Sequence, residues 1–217
     1  MSGAFLDPGA AATEAWRRPG IVPVVTVTEA GQAVPLARAL ASAGLVFVEV
    51  TLRSEAALEA IRRIAGELPE VVVGAGTLRR PADFEAALAA GARFLVSPGC
   101  TAALIEAAPS SPVPFLPGCA TPSEAMTLAE AGFRVVKFFP AGPYGGAATL
   151  KALAAPLPDL AFVPTGGVGP GNLADYLALD NVVAVGGSWM IRPEWLAAGD
   201  YGRITEAARQ AAALGRG

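Results

Sequence analysis

The stretch RVVKFFPAGPYGG, residues 134–146, decides the fold. Its first half is a short run of apolar β-branched and aromatic residues, which predicts a buried strand, and its second half is a loop rich in glycine and proline. Seven further runs of this kind occur in the chain: IVPVVTV (21–27), LVFVEVTL (45–52), VVVGAGT (71–77), RFLVS (93–97), VPFLPG (113–118), AFVPTGG (161–167) and NVVAVGG (181–187). We therefore expect eight strands.

The segments between these runs predict helices, because they are amphipathic and rich in alanine and leucine. Two of them carry start signals: Ser54 opens one, and Thr121 opens another with Glu124 at the third position after the cap. Three are expected to end at a glycine, namely Gly44, Gly91 and Gly132.

Eight strand–helix units of roughly 20 to 25 residues predict an α/β fold in which a parallel sheet closes into a (β/α)8 TIM barrel. An open doubly wound sheet is the alternative. No linker interrupts the chain, so residues 1–217 are expected to form a single domain. Residues 1–19 predict a short helix across one end of the barrel, and residues 200–214 predict the final helix.

The composition narrows the class of function. Apolar residues make up 53% of the chain and charged residues 16%, which excludes a disordered protein. The net charge is −3 and no basic run is present, so we expect no nucleic-acid partner. No apolar window long enough for a membrane span and no secretory signal pattern are present, so we expect a cytoplasmic protein. The chain has no histidine, which removes the commonest general base and transition-metal ligand. Its two cysteines, Cys100 and Cys119, are expected to be reduced.

Lys137 lies at the end of the sixth predicted strand, between valine and phenylalanine pairs. The chain has only one other lysine, Lys151, so an apolar site that keeps a lysine suggests a task that arginine cannot perform. Apolar surroundings disfavour the charged ammonium, and the neutral amine is the form that attacks a carbonyl. Lys137 is therefore a candidate Schiff-base nucleophile. The alternative is a plain cation that reaches a carboxylate or a phosphate.

Because side chains alternate along a strand, Glu49, Thr51 and Arg53 should share the face of the second strand that points into the barrel mouth. Glu49 is then a plausible proton shuttle. The alternative is an ion pair between Glu49 and Arg53 that only holds a loop.

Glycine pairs end the seventh and eighth predicted strands, in PTGGV (164–168) and GGSWM (186–190). Each pair is followed by a predicted helix start, and exposed N–H groups near a helix N-terminus bind anions, so these loops predict a phosphate site to which Ser188 could add a hydroxyl. Two ordinary glycine turns are the alternative. GAGT, which ends at Thr77, and SPG, which contains Pro98, are weak signals when taken singly.

Together these groups describe a ligand with a ketone, a nearby carboxylate and a distal phosphate. Imine formation would drain electrons from a breaking C–C bond, so the predicted chemistry is aldol cleavage without a metal or other cofactor. Two alternatives are a phosphosugar epimerase without a covalent step and a non-catalytic phosphometabolite sensor.

The motifs IVPV, VEVTLR, VGAGT, SPG, PG-x-x-TP-x-E, VKFFPA, PTGG and GGSW occur in order from about residue 21 to about residue 209. In this ordered set the chain resembles the family of 2-keto-3-deoxy-6-phosphogluconate (KDPG) aldolase, the last enzyme of the Entner–Doudoroff route, and 4-hydroxy-2-oxoglutarate (KHG) aldolase. The resemblance implies Lys137 as the Schiff-base lysine and Glu49 as the proton-transfer residue. It also implies substrate-binding residues: Arg53 and Thr77 for the pyruvate carboxylate, Gly166, Gly167, Gly187 and Ser188 for the phosphate, Thr165 for stereochemical preference, and Pro98.

The expected reaction is reversible cleavage of KDPG to pyruvate and glyceraldehyde 3-phosphate. KHG and the galactonate analogue of KDPG are alternative substrates. The resemblance also implies a homotrimer, while Tyr144 in the loop after the sixth strand has no predicted role.

Overall fold

The computed structural model describes residues 16, 17 and 20–215. Within them the strands are β1 (Ile21–Val25), β2 (Phe47–Thr51), β3 (Val72–Gly76), β4 (Leu95–Val96), β5 (Phe115–Leu116), β6 (Gly118–Cys119), β7 (Val135–Phe138), β8 (Ala161–Pro164) and β9 (Val185–Gly187). The helices are α1 (Ala33–Ser42), α2 (Ala57–Glu67), α3 (Pro81–Ala89), α4 (Ala102–Ala107), α5 (Pro122–Glu130), α6 (Gly146–Ala154), α7 (Leu173–Leu177), α8 (Pro193–Ala197) and α9 (Tyr201–Leu214). Short 3-10 helices cover Ala30–Gln32 and Ala108–Ser110.

Every predicted apolar run contains a strand, and the fifth run contains β5 and ends at Gly118, the first residue of β6. Pro117 separates these two strands. Because proline has no N–H to donate to a ladder, it interrupts the strand at this point. Its carbonyl still accepts a hydrogen bond from the backbone N–H of Lys137 at 2.8 Å, so the chain direction is kept across the break.

The strands pair in parallel, in the orders β5-β4-β3-β2-β1-β9 and β6-β7-β8. Lys137 on β7 nevertheless contacts Glu49 on β2, which requires the sheet to curl so that its two parts face each other. The α/β class with a curled parallel sheet is thus confirmed, and the curl argues against the open doubly wound alternative. Among the described residues β8 and β9 meet through isolated bridges, Phe162 to Val182 and Thr165 to Gly186, rather than through a continuous ladder.

Several predicted helix ends are confirmed. Thr121 caps α5, since its Oγ1 accepts from the N–H of Glu124 at 3.3 Å while the Glu124 carboxylate accepts from the Thr121 N–H at 3.0 Å. The three predicted terminal glycines all have a positive φ after α1, α3 and α5: Gly44, Gly91 and Gly132. The final helix is observed as α9, with the Asp200 side chain accepting from the N–H of Arg203.

The predicted helix start at Ser54 is wrong, because α2 begins three residues later at Ala57. The Ser54 hydroxyl donates to the carbonyl of Val27 at 2.6 Å instead of capping a helix. This bond ties the loop after β2 to the loop after β1. Ser54 therefore shapes the end of the sheet rather than the start of a helix.

Most of the helix predicted for residues 1–19 lies outside the described residues. Trp16 and Arg17, which are described, are helical. Trp16 is buried and its ring meets that of Phe94 edge-on, with centroids 5.7 Å apart. This contact places Trp16 in an apolar cluster with Val22 and Leu116.

The apolar residues of the sheet divide between two faces. Val48 and Val50 pack in the cluster that joins the sheet to the helices, whereas Phe47 packs against the cluster that contains Trp16 and Phe94. The alternation predicted for β2 is therefore observed. Within the described part of the chain, no helix combines the length and apolarity that crossing a membrane would require.

Candidate active site

Buried polar side chains gather where the strands end. Among the described residues, the buried ones with polar or charged side chains are Glu49, Thr51, Ser97, Lys137 and Thr165. All five lie on the strands β2 and β7 or directly after β4 and β8. Polar groups are costly to bury unless they are paired, so this concentration marks the carboxyl end of the sheet as the candidate site.

The centre of the site is a buried contact between Lys137 and Glu49. Lys137 Nζ donates to Glu49 Oε1 at 3.1 Å, and Oε2 lies 3.5 Å away. The two side chains are 5% and 4% exposed. The Phe139 ring centroid is 5.4 Å from Nζ, so an aromatic face covers the amine from another side. The carboxylate is thus in place to take up or return a proton at the amine.

Gly76 makes room for this pair. A Cβ at Gly76 would overlap the Glu49 carboxylate, so even alanine would force the carboxylate to move. Gly76 belongs to the GAGT motif, which is a weak signal by itself. The structure shows a steric reason for glycine at this position.

The alternative ion pair between Glu49 and Arg53 is not observed. Arg53 is exposed, and its Nε donates to Thr77 Oγ1 at 3.1 Å. The structure therefore brings together the two residues expected at the pyruvate carboxylate. Thr77 has a φ of 65°, which is unusual for a β-branched residue and costs on the order of 1–3 kcal/mol. Such a strained backbone holds the hydroxyl and the N–H of Thr77 in one orientation.

The residues expected at the phosphate lie on the loops after β8 and at the end of β9. Gly166 and Gly167 have φ of 88° and 80°, a left-handed conformation that only glycine adopts readily. Ser188 is exposed directly after β9. The helices that follow, α7 and α8, begin several residues later than the motifs predicted, at Leu173 and Pro193. The predicted phosphate site therefore depends on the N–H groups of the loops and not on these helix starts.

Thr165 and Pro98 lie directly after β8 and near the end of β4. The Thr165 N–H donates to the carbonyl of Phe138 at 2.9 Å, and its side chain fills the space that a Cβ at Gly186 would need. Pro98 is half-buried, and its carbonyl packs against Gly118, the register partner of Lys137.

Sequence reasoning missed Ser97 and Thr26. Ser97 is fully buried and its Oγ accepts from the N–H of Gly118 at 3.3 Å. Thr26 Oγ1 lies 2.7 Å from Thr51 Oγ1. Each lies near the end of a predicted apolar run and directly after the observed strand, β4 or β1, so a polar residue near the end of an apolar run was the available signal.

The cysteines are not nucleophile candidates. Burial raises the pKa of Cys100 to about 11, and burial with the nearby Glu124 carboxylate raises the pKa of Cys119 to about 12. Both thiols are therefore protonated at neutral pH, and the thiolate is the reactive form. Within residues 20–215 and the described residues 16 and 17, no cluster of three histidine, cysteine, aspartate or glutamate side chains is arranged to hold a metal.

Comparisons with known proteins identify the family. The fold and the site are those of an α/β protein with a buried lysine–carboxylate pair at the end of a curled parallel sheet. The family model described as KDPG and KHG aldolase matches residues 13–207. The chain therefore belongs to the KDPG and KHG aldolase family.

Three relatives illustrate the match. The KHG/KDPG aldolase of Escherichia coli is 47% identical over 191 residues, which cover 88% of this chain and 90% of the relative. The 2-dehydro-3-deoxy-phosphogluconate aldolase of Dickeya dadantii is 47% identical over 193 residues, covering 89% and 91%. The KDPG aldolase of Legionella pneumophila, solved with pyruvate captured at low pH as a covalent carbinolamine, is 38% identical with a TM-score of 0.89, covering 91% and 96%.

Proposed function

We propose that this chain is a metal-independent Schiff-base aldolase that cleaves KDPG reversibly to pyruvate and glyceraldehyde 3-phosphate. The observation that carries the proposal is the buried Lys137, with Glu49 at 3.1 Å as a proton acceptor. A plain cation that reaches a carboxylate would make the same contact, so the trapping experiment below separates that alternative from a reactive amine. The relatives named KDPG aldolase, and the pyruvate carbinolamine of the Legionella enzyme, support the same chemistry.

The reaction begins when Lys137 Nζ passes a proton to Glu49, after which the neutral amine attacks the C2 ketone and forms a carbinolamine. Glu49 then returns this proton to the carbinolamine hydroxyl. Loss of water gives an imine whose positive charge attracts electrons. Glu49, acting through a water molecule, takes the proton of the C4 hydroxyl. The C3–C4 bond then breaks, its electron pair forms the enamine, and glyceraldehyde 3-phosphate leaves. Protonation of C3 and hydrolysis of the imine release pyruvate and restore the amine.

The remaining site residues bind the two ends of the substrate. Arg53 and Thr77 bind the pyruvate carboxylate, which suits the charge and the donors of a pair already joined by a hydrogen bond. The phosphate is bound by loop N–H groups and a hydroxyl, from Gly166, Gly167, Gly187 and Ser188. Thr165 and Pro98 line the path between the ends, and Thr165 influences stereochemical preference at C4.

KHG is the second candidate substrate. The Escherichia coli relative is named for both KHG and KDPG, which favours KHG over the galactonate analogue as a second substrate. KHG shares the pyruvate half of the substrate and lacks the phosphate. Turnover compared on KDPG, KHG and the galactonate analogue would rank the three.

Borohydride trapping with pyruvate tests the covalent step. The expected result is a reduced pyruvyl adduct on Lys137, located by intact mass and peptide mapping, and its loss in Lys137→Arg. Lys151→Arg is the matched control, because Lys151 is the other lysine of the chain and is exposed on α6. An adduct on Lys151, or none at all, would leave Lys137 as a plain cation and refute the aldolase mechanism. Turnover that is stimulated by metal and survives Lys137→Arg would favour a non-covalent phosphosugar enzyme, and ligand binding without turnover in both proteins would favour a sensor.

Several broader properties belong to the same proposal. We propose that the curled sheet closes as a (β/α)8 barrel, with β5 and β6 counting as one interrupted strand, and that residues 1–217 form a single domain with a short N-terminal helix. We also propose a homotrimer that works in the cytoplasm, in the Entner–Doudoroff route, without a cofactor and without nucleic-acid or membrane partners. Sedimentation equilibrium of the purified chain tests the trimer, since a mass other than three chains contradicts it.

A further inference from the structure

A cavity of about 420 Å³ opens where β1, β2 and β9 end, and two residues of the candidate site, Arg53 and Ser188, line it. Its polar wall consists of Thr26, Thr28, Gln32, Arg53 and Ser188. Its other wall is apolar and includes Ile191 and residues of α8. A cavity of this size falls in the range of small-molecule sites.

The cavity joins the two ends of the proposed substrate site. It is lined by Arg53, which we assign to the pyruvate carboxylate, and by Ser188, which we assign to the phosphate. A substrate that reaches from one to the other must pass along the wall between them. In KDPG this middle part carries hydroxyl groups on C4 and C5, whereas KHG carries a hydroxyl on C4 alone.

The polar wall is rich in hydrogen-bond donors. Arg53 uses its Nε toward Thr77, and its other guanidinium N–H groups have no protein acceptor among the described residues. Thr28 donates to Gln32 Oε1 at 3.5 Å, which leaves the amide N–H groups of Gln32 available. Among the described residues that line the cavity, none is acidic. The chemistry of the wall therefore suits an anionic, hydroxylated ligand.

Thr26 is the lining residue whose orientation is best defined. Its hydroxyl lies 2.7 Å from that of Thr51, which is 1% exposed and cannot turn toward solvent. On β1 the interior face includes Val22, so Thr26, four residues later, lies on the same face. A hydroxyl has one proton and two lone pairs, and the bond to Thr51 uses only one of these capacities. The Thr26 hydroxyl can therefore form a further hydrogen bond to a ligand in the cavity.

We propose that Thr26 is a specificity-determining residue that binds the C5 hydroxyl of the substrate, and that Thr51 is the positioning residue that holds it. This inference rests on the proposed function and extends it to the aldehyde half. It assigns to the cavity the part of the substrate that distinguishes KDPG from KHG.

The test compares Thr26→Val with Thr26→Ser on both substrates. Valine keeps the shape of threonine and removes the hydroxyl, so the ratio of kcat/KM for KDPG to kcat/KM for KHG is expected to fall about threefold to tenfold, the size of one lost hydrogen bond. The fall should appear mainly in KM for KDPG, because the lost bond is made to the substrate and not to the breaking bond. Serine keeps the hydroxyl and should preserve the ratio. Thr127→Val, on the exposed surface of α5, is the matched control and should leave the ratio unchanged.

An unchanged ratio in Thr26→Val, or an equal loss on both substrates, would overturn the assignment of Thr26 while leaving the aldolase proposal intact. A parent chain that forms no pyruvate adduct and cleaves neither substrate would instead overturn the proposed function, and the assignment with it. A fall in the ratio for Thr26→Ser equal to that for Thr26→Val would show that packing, not the hydroxyl, sets the preference.

Discussion

The pair formed by Lys137 and Glu49 predicts a large, non-additive effect on stability. The two groups are 3.1 Å apart and almost fully buried, so each neutralises a charge that would otherwise stand alone in an apolar interior. Removing one partner of such a pair costs about 3–5 kcal/mol, whereas replacing both by apolar groups of similar size is often nearly neutral. We therefore expect Glu49→Leu to lower the free energy of unfolding by about 3 kcal/mol.

The double variant Lys137→Met/Glu49→Leu should recover most of this loss. The coupling energy, which is the difference between the double variant and the sum of the single variants, should exceed about 1 kcal/mol, above the additivity error of independent sites. Urea unfolding of the parent, both single variants and the double variant at pH 7 measures it, with the m-value checked for two-state behaviour.

Two results would refute this reasoning. If Glu49→Leu cost less than about 1 kcal/mol, the carboxylate would not be compensating a buried charge. If the double variant lost as much free energy of unfolding as the two single variants together, the two groups would act independently. Their contact would then contribute nothing to stability. Glu59, which pairs with Arg62 and Arg63 on the exposed surface of α2, provides a comparison. Glu59→Leu should lower the free energy of unfolding by much less than Glu49→Leu does.

Three further predictions concern single positions. Gly76→Ala should displace the Glu49 carboxylate and lower kcat by about 100-fold or more, the scale of a misplaced general base, while Gly66→Ala in open space on α2 leaves kcat unchanged; equal kcat in both variants would contradict the steric role of Gly76. Thr77→Gly should raise the free energy of unfolding by up to about 1 kcal/mol by releasing the strained φ of 65°, and should raise KM through the lost hydroxyl; a destabilised variant with unchanged KM would contradict this. The pKa of Asp83 is raised by partial burial but lowered overall, because the N–H of Arg79 and the side chain of Arg80 hydrogen-bond to its carboxylate. The pKa of Asp83 is lower in the folded state than in the unfolded state, where it is near 4, so Asp83 stabilises the protein at neutral pH and loses this contribution as the pH falls below about 4. The difference in the free energy of unfolding between the parent and Asp83→Asn should therefore shrink as the pH falls, and a difference that does not change with pH would refute this.

The sequence by itself determined where the strands lie, where several helices end, and which way the side chains of β2 point. The eight apolar runs became strands, and terminal glycines such as Gly44 ended helices, because strand and helix preferences are set by near neighbours in the chain. The alternation along β2 placed Glu49 and Thr51 on the interior face before any tertiary contact was known, since a strand has a period of two residues. The apolar residues on both sides of Lys137 were enough to make it a candidate nucleophile.

Only the tertiary structure decided which of these groups meet. Glu49 could have paired with Arg53, four residues away, but it pairs with Lys137, which is 88 residues away. The bonds from Ser54 to Val27 and between Thr26 and Thr51 likewise join separate strand ends. Such contacts depend on how far the sheet curls and how its strands are staggered, and these are properties of the whole parallel sheet. No local pattern encodes them, which is why the pairing at the site became visible only in the folded chain.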